Sequence, residues 1–145
     1  MKSIAIIPAR MGSSRFPGKP MKKIHGVPMI GHCYFRTSMC NELLDTYVAT
    51  CDQEIFDYIE SINGKVVMTS GTHERATDRT AEAMLKIEGI IGEKIDLVVM
   101  VQGDEPMVTP DMISESLQPL YEDSSINVVN LMADMGSCEE FEDPN

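Results

Sequence analysis

The chain has 145 residues, 43% of them apolar and 24% charged, which suits one globular domain with a real core. No apolar stretch is long enough to cross a membrane, and the N-terminal apolar run is too short for a signal peptide. A net charge of −11 argues against nucleic acid as a partner. Cys33, Cys40, Cys51 and Cys138 include no C-x-x-C pair, and only three His accompany them, so they read as reduced thiols of a cytoplasmic protein rather than zinc ligands.

The first predicted element is a buried parallel strand, Ile4-Ala5-Ile6-Ile7, which Pro8 is expected to end because proline offers the ladder no amide hydrogen. The loop after it runs Ala9-Arg10-Met11-Gly12-Ser13-Ser14-Arg15-Phe16-Pro17-Gly18-Lys19-Pro20 and carries three cations with no acid between them. Gly12 and Gly18 let the backbone approach a ligand, and Ser13 and Ser14 add hydroxyls. Donors and cations at the carboxyl end of a first strand are how an open α/β sheet holds phosphate. The spacing is neither that of a Walker A loop nor G-x-G-x-x-G. Charge segregation strengthens the reading. Residues 1–41 carry seven Lys/Arg and no acid, while the remainder carries five Lys/Arg and all 23 acids. An acidic chain that keeps its first quarter free of acids protects a site for a polyanion.

Next comes a short extended piece turning at Gly26. Pro28 is expected at the first position of a helix from Met29 to about Cys40, which packs Met29, Ile30, Cys33, Tyr34 and Met39. His32 reads as a packed or surface residue. Asp45–Thr50 is the second main strand, and Asp52 the N-cap of an amphipathic helix from Gln53 to Ile62, closed by Asn63-Gly64. Lys65–Met68 is the third. A loop follows, with a helix starting at Thr77 or Asp78, running to about Lys86 and broken by Gly89 and Gly92. Asp96–Val101 is the most apolar strand and is expected at the sheet centre. Thr109 caps a helix that opens on Pro110-Asp111 and runs to about Leu120. Asn127–Met132 reads as a fifth strand, and Ser137-Cys138-Glu139-Glu140 as a capping box that starts another helix. Alternating strands and helices predict right-handed crossovers and an open, mostly parallel α/β sheet.

Gln102-Gly103-Asp104-Glu105-Pro106 leaves the apolar strand at the same sheet edge as the cationic loop. There Asp104 would face bound phosphates. Two anions need a cation between them, and one carboxylate with phosphate oxygens is how proteins usually hold Mg²⁺.

Ile6-Ile7-Pro8-Ala9-Arg10 with Ser13, Arg15 and Pro17-Gly18-Lys19-Pro20 resembles the signature of the sugar cytidylyltransferases, above all those acting on 3-deoxy-manno-octulosonate. Val101-Gln102-Gly103-Asp104-Glu105-Pro106 resembles the same family's metal motif. His73-Glu74-Arg75-Ala76-Thr77-Asp78-Arg79 resembles a third, matching at Thr77, Asp78 and Arg79 but carrying Arg75-Ala76 where Ser-Gly is usual. The resemblance covers nearly the whole chain. It implies a Rossmann-like sheet of the nucleotide-sugar transferase type, with residues 1–145 as the nucleotide-binding part of one cytidylyltransferase domain truncated at its C-terminal side. It implies transfer of CMP from CTP to the sugar acid, with pyrophosphate released, for lipopolysaccharide precursors. Arg10, Arg15 and Lys19 would neutralise the phosphates, and Asp104 would hold Mg²⁺ as cofactor. Pro8, Ala9, Gly12, Ser13, Arg79 and Gln102 would complete the nucleotide site. His73 reads as a loop residue rather than a general base. Family members are longer and homodimeric, so the sugar site, a second metal-binding Asp and the dimer surface are expected beyond residue 145, and this chain alone is expected not to turn over. A cytidylyltransferase for a sialic-type sugar and a nucleotide-binding module without catalysis are the rival readings.

Overall fold

β1 (Ser3–Ala9) is the axis of the molecule. In the computed structural model, which describes residues 1–12 and 15–133, all seven of its residues are buried. After β1 and the loop come a 3-10 turn (Lys19–Met21) and a two-stranded hairpin, β2 (Lys23–Ile24) with β3 (Val27–Pro28), turning at His25-Gly26. Then follow α1 (Met29–Ser38), β4 (Asp45–Thr50), α2 (Gln53–Ser61), β5 (Lys65–Met68), α3 (Ala76–Ile91), β6 (Leu97–Met100) and α4 (Pro110–Glu122). The main sheet runs β5-β4-β1-β6 and is parallel throughout.

Both faces of the sheet are covered. Ile7, Val48 and Val101 pack with Ile30 of α1, Ile55 and Ile59 of α2, and Ile113 and Leu117 of α4. On the opposite face Ile4, Ile6, Tyr47, Ala49 and Val67 pack with Ala83 and Ile87 of α3. The side chains of β1 alternate between these clusters, as a pleated strand requires. The chain steps from β1 to β4 and β5 on one side, then returns to β6 on the other. The carboxyl ends of β1 and β6 therefore diverge at a switch point, where open α/β sheets bind ligands.

Several expectations are corrected. β1 does not end before Pro8, which pairs with Ala49 inside the strand. Ile6 gives its carbonyl to the Val101 N–H. By two-residue alternation Pro8 turns its nitrogen to that same side, beyond the last β6 pair at Met100, so no ladder bond is lost. Pro28 ends β3 and only flanks α1, which stops at Ser38 and leaves Met39 exposed. α3 begins one or two residues early, at Ala76, and passes through Gly89 to end at Ile91, capped by Gly92, which is left-handed with φ 70°. A glycine in a helix costs ~1 kcal/mol, and the packing of Ile87 and Ile91 on the sheet offsets it.

Among the described residues β6 lies at the sheet edge, not its centre. Its apolar sequence reflects two covered faces, with Val98 packed toward α3 and Leu97 and Val99 toward the other helices. Asn127–Met132 forms no strand. A strand needs a ladder partner, and Val128 and Met132 stand 75% and 94% exposed. The Ser137 capping box lies outside the described residues, as do Ser13 and Ser14.

Candidate active site

A cavity of about 610 Å³ opens at the carboxyl edge of β1 and β6. Three loops build it. The loop after β1 contributes Arg10, Gly12, Arg15 and Lys19, the loop after β5 contributes His73, Glu74 and Arg75, and the loop after β6 contributes Gln102, Gly103 and Asp104. Pro8, Ala9 and Arg79 also line it. Every residue expected at the site, save Ser13 outside the described residues, therefore faces one space.

The charges in that space are unevenly matched. Lys19 Nζ lies 2.8 Å from Asp104 Oδ2, and both side chains are half-exposed. Among the described residues neither Arg10, Arg15 nor Arg75 makes an ion pair. Arg79 is 3% exposed and has no acid against it either. Its Nη1 donates to Thr69 Oγ1 and to the Ser70 carbonyl. A buried guanidinium without a carboxylate leaves positive potential in the cavity wall.

Gly103 shows why no larger residue suits its place. A Cβ there would stand 2.8 Å from the Pro8 carbonyl oxygen and 3.3 Å from Ala9 Cβ. The glycine lets the Asp104 loop close onto the end of β1, so that loop and the cationic loop share one cavity. Cys33 of α1 donates its thiol to the Gly103 carbonyl at 3.5 Å. Burial, chiefly, pushes that thiol up to about 11, so it stays protonated.

The wall after β5 is held from α3. Glu82 accepts the Ser70 N–H at both carboxylate oxygens, 3.2 and 3.1 Å. Lys86 lies 2.8 Å from its Oε1, and His73 Nε2 meets its Oε2. The Lys86 ammonium first, then His73 and the Ser70 amide, hold the Glu82 carboxyl down to about 2. His73 thus lines the cavity while its ring is tied to Glu82. Sequence reasoning missed Glu82, and the only available signal was its helical spacing from Arg79 and Lys86.

Asp52 stands at the N-cap of α2 as expected, but its side chain makes no hydrogen bond to that helix. Its Oδ2 accepts the Met11 N–H at 2.8 Å instead. Thr109 is the cap it was expected to be, with Oγ1 accepting the Met112 N–H at 3.3 Å.

A family model described as "Cytidylyltransferase" matches residues 4–145. A 3-deoxy-manno-octulosonate cytidylyltransferase of Geobacter metallireducens is 43% identical over all of this chain and 55% of that protein. An 8-amino-3,8-dideoxy-manno-octulosonate cytidylyltransferase of Shewanella sp. (strain W3-18-1) is 49% identical over 84% of this chain and 48% of its own length. Among solved structures, a CMP:2-keto-3-deoxy-manno-octonic acid synthetase complexed with CTP superposes with a TM-score of 0.80, at 39% identity, over 87% of this chain and 50% of that one. The chain spans about half the length of the curated relatives it matches.

Proposed function

We propose, because this chain belongs to the cytidylyltransferase family, that its cavity binds CTP and serves the transfer of CMP to a 3-deoxy-octulosonate sugar acid, for lipopolysaccharide precursor synthesis. The observation that carries the reading is the cavity itself, in which four arginines and Lys19 stand against two acids, Glu74 and Asp104. In the reaction the anomeric hydroxyl of the sugar acid attacks the α-phosphorus in line. The new O–P bond forms as the bond to the β-phosphate oxygen breaks, the hydroxyl proton passes to solvent, and pyrophosphate leaves. Little covalent work falls to the protein, so positioning and charge stabilisation carry the catalysis. Arg10, Arg15 and Lys19 meet the charge that gathers on the departing phosphates. Pro8 and Ala9 offer main-chain groups to the base, Arg79 adds potential from below, and Gln102 offers an amide to nucleotide or sugar.

The donor set fits Mg²⁺. Asp104 presents a half-exposed carboxylate that already holds a cation, the Lys19 ammonium. Among the described residues no three His, Cys, Asp or Glu gather as a ligand cluster, and Mg²⁺ asks only for one or two carboxylates with phosphate oxygens and waters. Asp104 would hold the ion, which would supply charge neutralisation at the phosphates.

Other parts of the reading extend it beyond the cavity. Cys33, Cys40 and Cys51 are free thiols, which suits the cytoplasm. No helix among the described residues is long and apolar enough to cross a membrane. A homodimer is carried over from the family resemblance alone.

Pyrophosphate release by the whole natural protein tests the reading. CTP is expected to support it, with ATP and GTP far behind, and with the octulosonate or its 8-amino analogue as acceptor. Equal rates with all three nucleotides would sink the cytidylyl assignment.

A further inference from the structure

The loop that carries Arg10, Gly12 and Arg15 has a fixed base, and the fixing group lies outside the cavity. β1 and β4 pair in register up to Ala9 and Thr50. Met11 and Asp52 are each two residues further on, so they meet just above the ends of two neighbouring parallel strands. There Asp52 Oδ2 accepts the Met11 N–H at 2.8 Å. The Met11 carbonyl in turn accepts the Gly18 N–H at 2.9 Å. Both main-chain groups of Met11 are thereby occupied, one by the sheet side and one by the far end of its own loop. The acid is itself oriented. Its N–H donates to Thr50 Oγ1 at 3.1 Å, and the Cys51 thiol approaches its Oδ2 at 3.6 Å.

Two features say that this carboxylate serves the loop. It occupies the N-cap position of α2 yet gives that helix no side-chain bond. It also lies beneath a cationic loop without an ion pair to Arg10 or Arg15, among the described residues, so their charge stays available to a ligand. We propose that Asp52 is a positioning residue of the nucleotide site, which holds the phosphate-facing loop through the Met11 main chain and so sets where Arg10 and Gly12 stand. The inference rests on the reading of that cavity as a nucleotide site. Asp52 touches no ligand and acts only through Met11.

Three substitutions separate this role from a purely local one. Asp52→Ala removes the acceptor. Asp52→Asn keeps a carbonyl oxygen at the same reach. Asp52→Ser starts α2 as well as Asp does, but its hydroxyl stops about one bond short of Met11. The measurements are calorimetric titration of CTP with Mg²⁺ into the whole natural protein and amide hydrogen exchange over residues 10–18. The Ala and Ser variants are expected to bind CTP about 10-fold or more weakly, the scale of one lost hydrogen bond to a charged acceptor, and to exchange faster in the loop. The Asn variant is expected to stay within ~3-fold of wild type, because a neutral acceptor keeps about half of such a bond. A Ser variant that binds CTP as tightly as wild type overturns the proposal, whether or not the Ala variant folds. Faster exchange with unchanged affinity overturns it too, because Asp52 would then be a strut of the loop and nothing more. Wild-type protein that binds no CTP at all would overturn the nucleotide reading itself, and the role of Asp52 with it.

Discussion

The pair Lys19–Asp104 joins the two residues with the largest expected effects. At 2.8 Å, with side chains 40% and 49% exposed, it is an ion pair in contact with solvent. Such pairs are worth about 0–1 kcal/mol, so neither residue is kept for stability. Lys19→Ala is expected to lower kcat by roughly 10²–10³, the cost of one preorganised donor at developing charge. Asp104→Asn is expected to abolish most activity and the response to Mg²⁺. Thermal melting of both variants should stay close to wild type, which separates chemistry from folding. A folded variant with wild-type turnover would remove that residue from the mechanism. The place of both residues at the cavity was legible in sequence, because each stands in a run that leaves the carboxyl end of a parallel strand. Asp52 and Glu82 were not, because each acts on a residue of another loop that no local pattern names.

At the scale of elements, α3 does more than cover the sheet. Arg79, Glu82 and Lys86 are spaced three and four residues apart, so they share one face. From that face Arg79 takes the Ser70 carbonyl, Glu82 the Ser70 amide and His73, and Lys86 the Met68 carbonyl at 2.8 Å. The loop that brings His73, Glu74 and Arg75 to the cavity is thus a product of one helix. Its pH dependence follows from Glu82, whose carboxyl is lowered to about 2 in the fold by Lys86 first, then His73 and the Ser70 amide. A carboxyl lowered on folding stabilises the fold above its unfolded value, and that contribution is lost as pH falls through the folded value. The contribution of Glu82 should therefore fade between about pH 5 and pH 2. Glu82→Gln has no such proton to take up. Its melting temperature should fall less steeply than that of wild type over this range, and equal slopes would show that the network does not lower Glu82. The start of α3 at Ala76 belongs to the same account. Arg75 holds a non-helical φ of −102° and ψ of 143° as the loop arrives, so the helix opens where the held loop ends, not at the best capping residue in the sequence.

Across the whole molecule the dominant fact is the separation of charge. Seven cations and no acid lie in residues 1–41, against a chain of net −11. The fold gathers Arg10, Arg15 and Lys19 of that segment with Arg75 and Arg79 around one cavity. Screening should therefore act strongly on ligand binding. CTP affinity is expected to fall on the order of tenfold between 0.05 and 0.5 M salt, as the Debye length shrinks from well above ~10 Å to a few ångströms. Calorimetric titration across that range checks it, and a flat profile would mean the cations do not face the phosphates. Sequence by itself determined the parallel α/β class, β4 and β5 to the residue, the Thr109-Pro110 start of α4, and the cationic loop beside the Asp104 turn. These rest on local chemistry: β-branched runs, a hydroxyl cap, a proline with no amide hydrogen to lose. Tertiary structure alone decided that β1 runs through Pro8, that β6 stands at the edge among the described residues, and that Asn127–Met132 forms no strand there. It alone decided that Asp52 reaches Met11, 41 residues away, and that Gly103 closes on the Pro8 carbonyl. The physical reason is common to all of these. Ladder partners, edge positions and close approaches are properties of two chain segments at once, and a sequence read one segment at a time contains only half of each.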